Sequence, residues 1–198
     1  MKLYILRHED RPTDCSFFTP LTEKGLENAN KLVSILKELN IDIIYSSPYI
    51  RTLQTICPYA SEQNINIKLE YGLAEINHPD IIAKKSTNQK LPEYIATLFN
   101  YDKSYNSIVK YNDIKYPENI QNVEQRIKQI LRQILEKKEN EDKNILLVTH
   151  QCVCCSIIKI IVGSKNYKKI KDIDTEKYGL GKLCLIIDNK SWIITFIN

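Results

Sequence analysis

Short apolar runs alternate with longer amphipathic segments along most of this chain, and that rhythm limits its folds more than any other feature. KLYILR (2–7), IDIIYSS (41–47), NIKLEYGL (66–73) and NILLVTH (144–150) each read as a strand. Between them, LTEKGLENANKLVSILKELN (21–40) spaces Leu26, Ala29, Val33 and Leu36 as one helical face, with Thr22 as cap and Glu23 at the positive end. Pro48 suits the first position of a second helix, PYIRTLQTICPYASEQN, which Pro58 is expected to kink or end. NIQNVEQRIKQILRQILEKKE (119–139) sets Val123, Ile127, Ile130, Leu131 and Ile134 on one side, and its basic residues read as a solvated face. QCVCCSIIKIIVG follows as a helix closed by Gly163, and KLCLIIDNKSWIITFIN reads as two strands about a turn at Asp188-Asn189.

Strand, helix, strand, helix in this order predicts an α/β fold, a three-layer α/β/α sandwich with a mostly parallel central sheet. The 198 residues suit one domain, 1–198. Residues 76–118 lose the pattern, apart from a short helix at LPEYIATLF. They are expected to form an insertion after the third strand, with five tyrosines of which packing is the commoner use.

Net charge is +4, from 28 basic and 24 acidic residues, which is too even for a dedicated nucleic-acid binder. The apolar run at the N-terminus is too short for a signal-peptide core and no run is long enough for a membrane span, so a cytoplasmic protein with no membrane partner is expected. The six cysteines lack the double CxxC spacing of a zinc site. Cys152, Cys154 and Cys155 lie in an apolar run and read as buried free thiols.

In sheets of this kind, ligands bind beyond the carboxyl ends of the strands. The first strand runs directly into five ionisable residues, Arg7 to Arg11. Arg51 opens the helix after the second strand, Glu75 follows the third and His150 ends the fourth. The topology thus brings two of the three histidines, up to three arginines (Arg7, Arg11, Arg51) and a carboxylate to one edge. Glu70 also lies near the third strand end, whereas His78 and Lys84, Lys85 and Lys90 read as solvated loop residues.

Guanidinium forks match phosphate oxygens, and a neutral imidazole is a competent nucleophile when its other nitrogen is tied to an acceptor. A carboxylic acid nearby can protonate a departing oxygen and later deprotonate water. These parts describe phosphoryl transfer through a phosphohistidine, with cationic side chains in the role a metal takes elsewhere. Neither a metal site nor a cofactor is expected.

The chain resembles the histidine phosphatase superfamily, whose fold is phosphoglycerate-mutase-like. The resemblance rests on LYILRHE, PLTEKG, IIYSSPYIRTLQT, GLAEI and ILLVTH, in the family's order across residues 3–150. It implies His8 as the phosphate-accepting nucleophile, Arg7, Arg51 and His150 as holders of the phosphoryl group, and Glu75 as proton donor. RHEDR looks nearest the branch written R-H-G-E-R, which makes Arg11 a further substrate-binding arginine. Glu9 departs from that pattern by standing where the branch has glycine, with a side chain that would narrow the pocket unless it turns away.

The resemblance implies a phosphorylated small molecule or phosphoprotein as substrate. Three activities fit: a metal-independent phosphatase, a mutase working through a bisphosphorylated intermediate, and a non-catalytic phospho-ligand binding module. AEINHPD at the donor block lacks what resembles the E-R-H of dedicated mutases, which favours hydrolysis.

Overall fold

The computed structural model of the chain describes residues 1–82, 90–163, 179–188 and 192–196, with backbone alone at 185–188 and 192–196. Among these residues, strands β1 (Lys2–Arg7), β2 (Ile43–Ser46), β3 (Ile67–Leu69), β4 (Asn144–Thr149), β5 (Leu183–Asp188) and β6 (Trp192–Phe196) share one sheet, in the order β3-β2-β4-β1-β5-β6. The first four in that order run parallel, and β5 and β6 add an antiparallel edge. The helices are α1 (Glu23–Glu38), α2 (Ile50–Glu62), the short α3 (Glu93–Ala96), α4 (Ile120–Leu135) and α5 (Gln151–Val162).

The layers follow from the connections. From β1 through α1 to β2, and through α2 to β3, the chain moves one way across the sheet; α4 brings it back to β4. Right-handed crossovers then place α1 and α2 on one face and α4 on the other. The packing of α1 on α2, and of α4 on α5, agrees with this. Residues 3–6 of β1 and 145–148 of β4 are buried between the layers, which is why both strands read as unbroken apolar runs. No helix among the described residues is long and apolar enough to cross a membrane.

β1 and β4 are hydrogen-bonded neighbours whose outgoing connections pass to opposite faces, so a crevice opens beyond their carboxyl ends. Their register pairs Arg7 with Thr149, and His8 N–H continues the ladder to Thr149 O at 3.0 Å. His8 and His150 therefore leave the sheet side by side.

Pro48 does not open α2, since it lies one residue before the N-cap Tyr49. Four further expectations need correction. The third strand stops at Leu69 because the Glu70 carboxylate accepts from Gly72 N at 2.9 Å and turns the chain into a 3-10 helix at Tyr71–Leu73. Gly72 is required at that turn, since a Cβ there would lie 2.3 Å from Ile130 Cδ1 of α4. Of the two outcomes expected at Pro58, an end to α2 is excluded, because the helix continues to Glu62; the buried neighbours Ile56, Tyr59 and Ala60 hold a turn that lacks one hydrogen bond. On α1 the buried face is Gly25, Ala29, Leu32 and Leu36, so the apolar stripe is rotated and Leu26 is exposed.

The last of these corrections concerns Arg126. It is not on a solvated face of α4 but buried among Val123, Ile127 and Ile130. The cap at Thr22 and the surface position of His78 agree with expectation. Lys84, Lys85 and Asn189 lie outside the described residues, and Lys90 is exposed.

Candidate active site

His8 is buried, with its Nδ1 at 2.7 Å from the backbone oxygen of Glu9. A carbonyl only accepts, so Nδ1 carries the proton and Nε2 keeps its lone pair. Burial, followed by the charge of Arg51, holds this imidazole well below the usual histidine range, which keeps it neutral at physiological pH. The local sequence explains the bond. Leaving the strand at Arg7, the chain turns so that Glu9 N–H reaches Thr55 Oγ1 of α2 at 3.0 Å.

His150 is fully buried and caps α5. Its ring meets that of His8 edge to face, with centroids 5.3 Å apart. Nε2 lies 2.9 Å from Ser47 Oγ, while Nδ1 faces Glu75 Oε2 at 3.6 Å, too far for a hydrogen bond. When Ser47 donates to Nε2, the proton sits on Nδ1, on the side of the carboxylate, where it has no hydrogen-bond partner among the described residues. Burial, then Arg51, then His8 push this imidazole well below its usual range as well.

Arg51 is a fully buried arginine on α2. Nη1 donates to Ser16 O at 2.9 Å and the guanidinium carbon lies 4.5 Å over the Tyr49 ring. Nε and Nη2 are buried with no partner among the described residues. Burial lowers the pKa of Arg51, and Glu75 is the largest opposing influence. Arg7 is lowered by burial in the same way and also feels Glu75 and Arg11. Arg11 is differently placed. Its Nη1 donates to Pro12 O at 2.6 Å and Asp14 O at 3.3 Å within its own loop, although its charge acts on Arg7, His8 and Arg51.

Glu75 is buried close to His150, with Oε1 accepting its neighbour's N–H from Ile76 at 3.1 Å. Glu70 is elsewhere engaged: it accepts from Gly72, Tyr105, Ser107, Ile108 and Val109, and so anchors the segment after β3. Glu9 turns away from the histidines. Its Oε2 accepts from Asn28 at 3.3 Å, and its carboxylate fills the space where Gly181 has no side chain; a Cβ on Gly181 (φ +63°) would sit 1.9 Å from Oε1.

The structure thus gathers His8, His150, Arg7, Arg51 and Glu75, with Arg11 at the margin. Sequence reasoning missed Ser47, Tyr49, Arg126 and Glu118. A signal existed for Arg126, which falls three residues after Val123 and four before Ile130, inside the apolar stripe. Of the clustered thiols, Cys154 is buried and its pKa is driven well up by burial, while Cys152 and Cys155 are partly exposed. No group of three His, Cys, Asp or Glu side chains among the described residues is arranged to hold a metal ion.

The transcription factor tau 55 kDa subunit of Saccharomyces cerevisiae is 26% identical over 203 residues, covering 92% of this chain and 46% of that protein, so the chain spans less than half of that curated relative. Among solved structures, ecdysone phosphate phosphatase from Bombyx mori, in complex with tungstate, superposes with a TM-score of 0.70 at 16% identity, covering 98% of this chain and 91% of that one. Phosphoserine phosphatase from Entamoeba histolytica, a mutant in complex with phosphoserine, gives 0.63 at 20% identity, covering 98% and 95%. The family model for the histidine phosphatase superfamily (branch 1) matches residues 16–195. That match starts beyond His8, so the placement of His8 beside His150 is an independent observation. With nine-tenths of its length matched and a sheet of the same architecture, this chain belongs to the histidine phosphatase superfamily.

Proposed function

We propose that this chain hydrolyses phosphomonoesters in two steps through a covalent phosphohistidine on His8. In the first, the Nε2 lone pair attacks phosphorus, a P–N bond forms and the ester P–O bond breaks. Glu75, in its acid form, gives its proton to the departing oxygen. In the second, Glu75 takes a proton from water, the resulting hydroxide attacks phosphorus, and the P–N bond breaks to return the lone pair to Nε2 and release inorganic phosphate. Arg7 and Arg51 balance the charge on the phosphoryl oxygens, and His150 donates from Nδ1.

One observation carries this reading. A neutral His8, its Nδ1 proton tied to Glu9 O, lies beside a buried Arg51 with two nitrogens that have no partner among the described residues. General acid help from Glu75 would contribute about 10²–10⁴-fold, most for poor leaving groups. Because Glu9 turns toward Asn28, it does not disqualify the pocket. The phosphatases among the structural relatives support a small phosphorylated substrate.

A second reading, a phospho-ligand module without turnover, is favoured by the yeast relative, which is a transcription factor subunit. Hydrolysis of 4-nitrophenyl phosphate in EDTA by the wild type, with an acid-labile phosphoenzyme that His8→Ala abolishes, is the expected result. Vanadate binding without turnover would favour the module instead. Conversion of 3- to 2-phosphoglycerate, dependent on 2,3-bisphosphoglycerate, would make the chain a mutase.

A further inference from the structure

Glu75 sits in no helix or strand. β3 has ended at Leu69, the 3-10 turn ends at Leu73, and residues 74–77 cross the buried edge of the site as irregular backbone. Such backbone needs polar partners, because its carbonyl and N–H groups are cut off from water. Its own side chain gives little help, since among the described residues the Glu75 carboxylate bonds only to the adjacent Ile76 N–H.

The partners come from one buried ion pair at the head of α4. Arg126 donates through Nη1 to Gly72 O, and through Nη2 to Ala74 O at 2.9 Å and Glu75 O at 3.4 Å. Glu118, just before α4, holds that guanidinium at 3.0 Å through Nε and 3.2 Å through Nη2. The same Glu118 carboxylate accepts from Asn77 N at 3.0 Å, and the Glu118 N–H donates to Asn77 O at 2.8 Å. Among the described residues, every bond from the side chains of the pair to backbone falls on residues 72–77, on both sides of Glu75. A third tether, Thr149 Oγ1 to Leu73 O at 2.6 Å, fastens the segment to β4 beside His150.

For stability alone this is an uneconomical design, since a buried ion pair is often no better than apolar residues of the same volume. Fixing an acid is a different demand. A shift of about 1 Å in a catalytic group can cost about 10²-fold in rate. We propose that Arg126 and Glu118 are positioning residues for the proton donor: the pair sets the backbone of residues 74–77 so that the Glu75 carboxylate stays against His150 and the leaving oxygen. This rests on the acid role given to Glu75 above.

The test compares turnover of an aryl phosphate, 4-nitrophenyl phosphate, with that of an alkyl phosphate, β-glycerophosphate, because an aryl oxide leaves with little protonation. Glu75→Gln sets the reference, with an aryl-to-alkyl kcat ratio at least about tenfold above wild type. Arg126→Lys and Glu118→Gln should raise the same ratio by about fivefold or more, in kcat and not KM, with vanadate affinity kept. Glu118→Gln is the milder change, since it keeps an oxygen for Arg126 and disturbs the Asn77 N–H. It decides the question if Arg126→Lys does not fold. Equal losses on both substrates, or losses confined to KM, overturn the positioning role while leaving Glu75 as the acid. A Glu75→Gln ratio equal to wild type overturns both.

Discussion

Arg51 offers a sharp test because the fold and the proposed activity ask opposite things of it. Replacing it by Met removes a fully buried guanidinium but keeps most of its volume. The loss is the bond to Ser16 O, about 1.5–3 kcal/mol for a charged donor, and the stacking on Tyr49, about 0.5–2 kcal/mol. The relief is two buried donors with no partner among the described residues, each costing about 1–3 kcal/mol. Taken at the middle of these ranges, the two sides cancel to within about 2 kcal/mol, which is small for deleting a buried charge. Urea denaturation in phosphate-free buffer should therefore give Arg51→Met a stability within that margin of the wild type. Orthovanadate separates them. At a hundredfold excess over its Kd, it should stabilise the wild type by about 2.7 kcal/mol, or about 5–11 °C in Tm for a chain of this size, and leave the variant unmoved. A loss above about 4 kcal/mol without anion would mean that the guanidinium serves the fold. A full vanadate shift in the variant would mean that Arg51 does not hold the anion.

Three further outcomes follow from the same geometry. His8 titrates well below its ordinary value near 6.5, so between those two points the unfolded chain binds the proton more readily; stability is present above pH 6.5, falls as pH drops through that window, and the acid limb of kcat/KM (corrected for substrate ionisation) lies below 6.5, a limb at or above 6.5 being the refuting result. Ser47→Ala should release the tautomer of His150, visible in ¹⁵N-detected histidine spectra, and weaken vanadate binding about fivefold for one lost hydrogen bond; an unchanged Nδ1–H tautomer would show that Ser47 does not set it. Glu9→Gly should leave kcat/KM within about threefold, while Gly181→Ala destabilises by about 1–3 kcal/mol and regains most of that when combined with Glu9→Gly; a tenfold rise in activity from Glu9→Gly would place its side chain in the pocket after all.

What the sequence revealed of this site, and what it hid, divides along the range of the interactions. His8, His150 and Arg51 are legible because they sit at or just beyond strand ends, and strand ends are marked locally by apolar runs giving way to charge. Glu75 was legible only as one of two acids. Separating it from Glu70 took the five donors that surround the latter, four of them from Tyr105 to Val109, more than thirty residues away. Arg126 was misread for a related reason: a long basic side chain in an amphipathic helix is usually solvated, and its partners, Gly72 to Glu75 and Glu118, belong to segments whose approach no periodicity encodes. The end of β3 was hidden in the same way, since Glu70 acting as a cap is invisible in an apolar run.

Glu9 shows how such long-range contacts reconcile a sequence with its family. Taken locally, an acidic side chain next to the nucleophile should repel a phosphoryl group, and nothing in RHEDR argues otherwise. Two distant residues remove the conflict. Asn28 on α1 receives the carboxylate, and Gly181, just before β5, leaves it room by having no Cβ. Burial pushes the Glu9 carboxyl pKa upward, and the hydrogen bond from Asn28 opposes that shift. The backbone of the same residue does the opposite work, since Glu9 O accepts the Nδ1 proton that leaves His8 Nε2 free. A glycine at this position would supply that carbonyl equally well, which is why the proposed chemistry depends on the main chain at residue 9 and not on which side chain it carries.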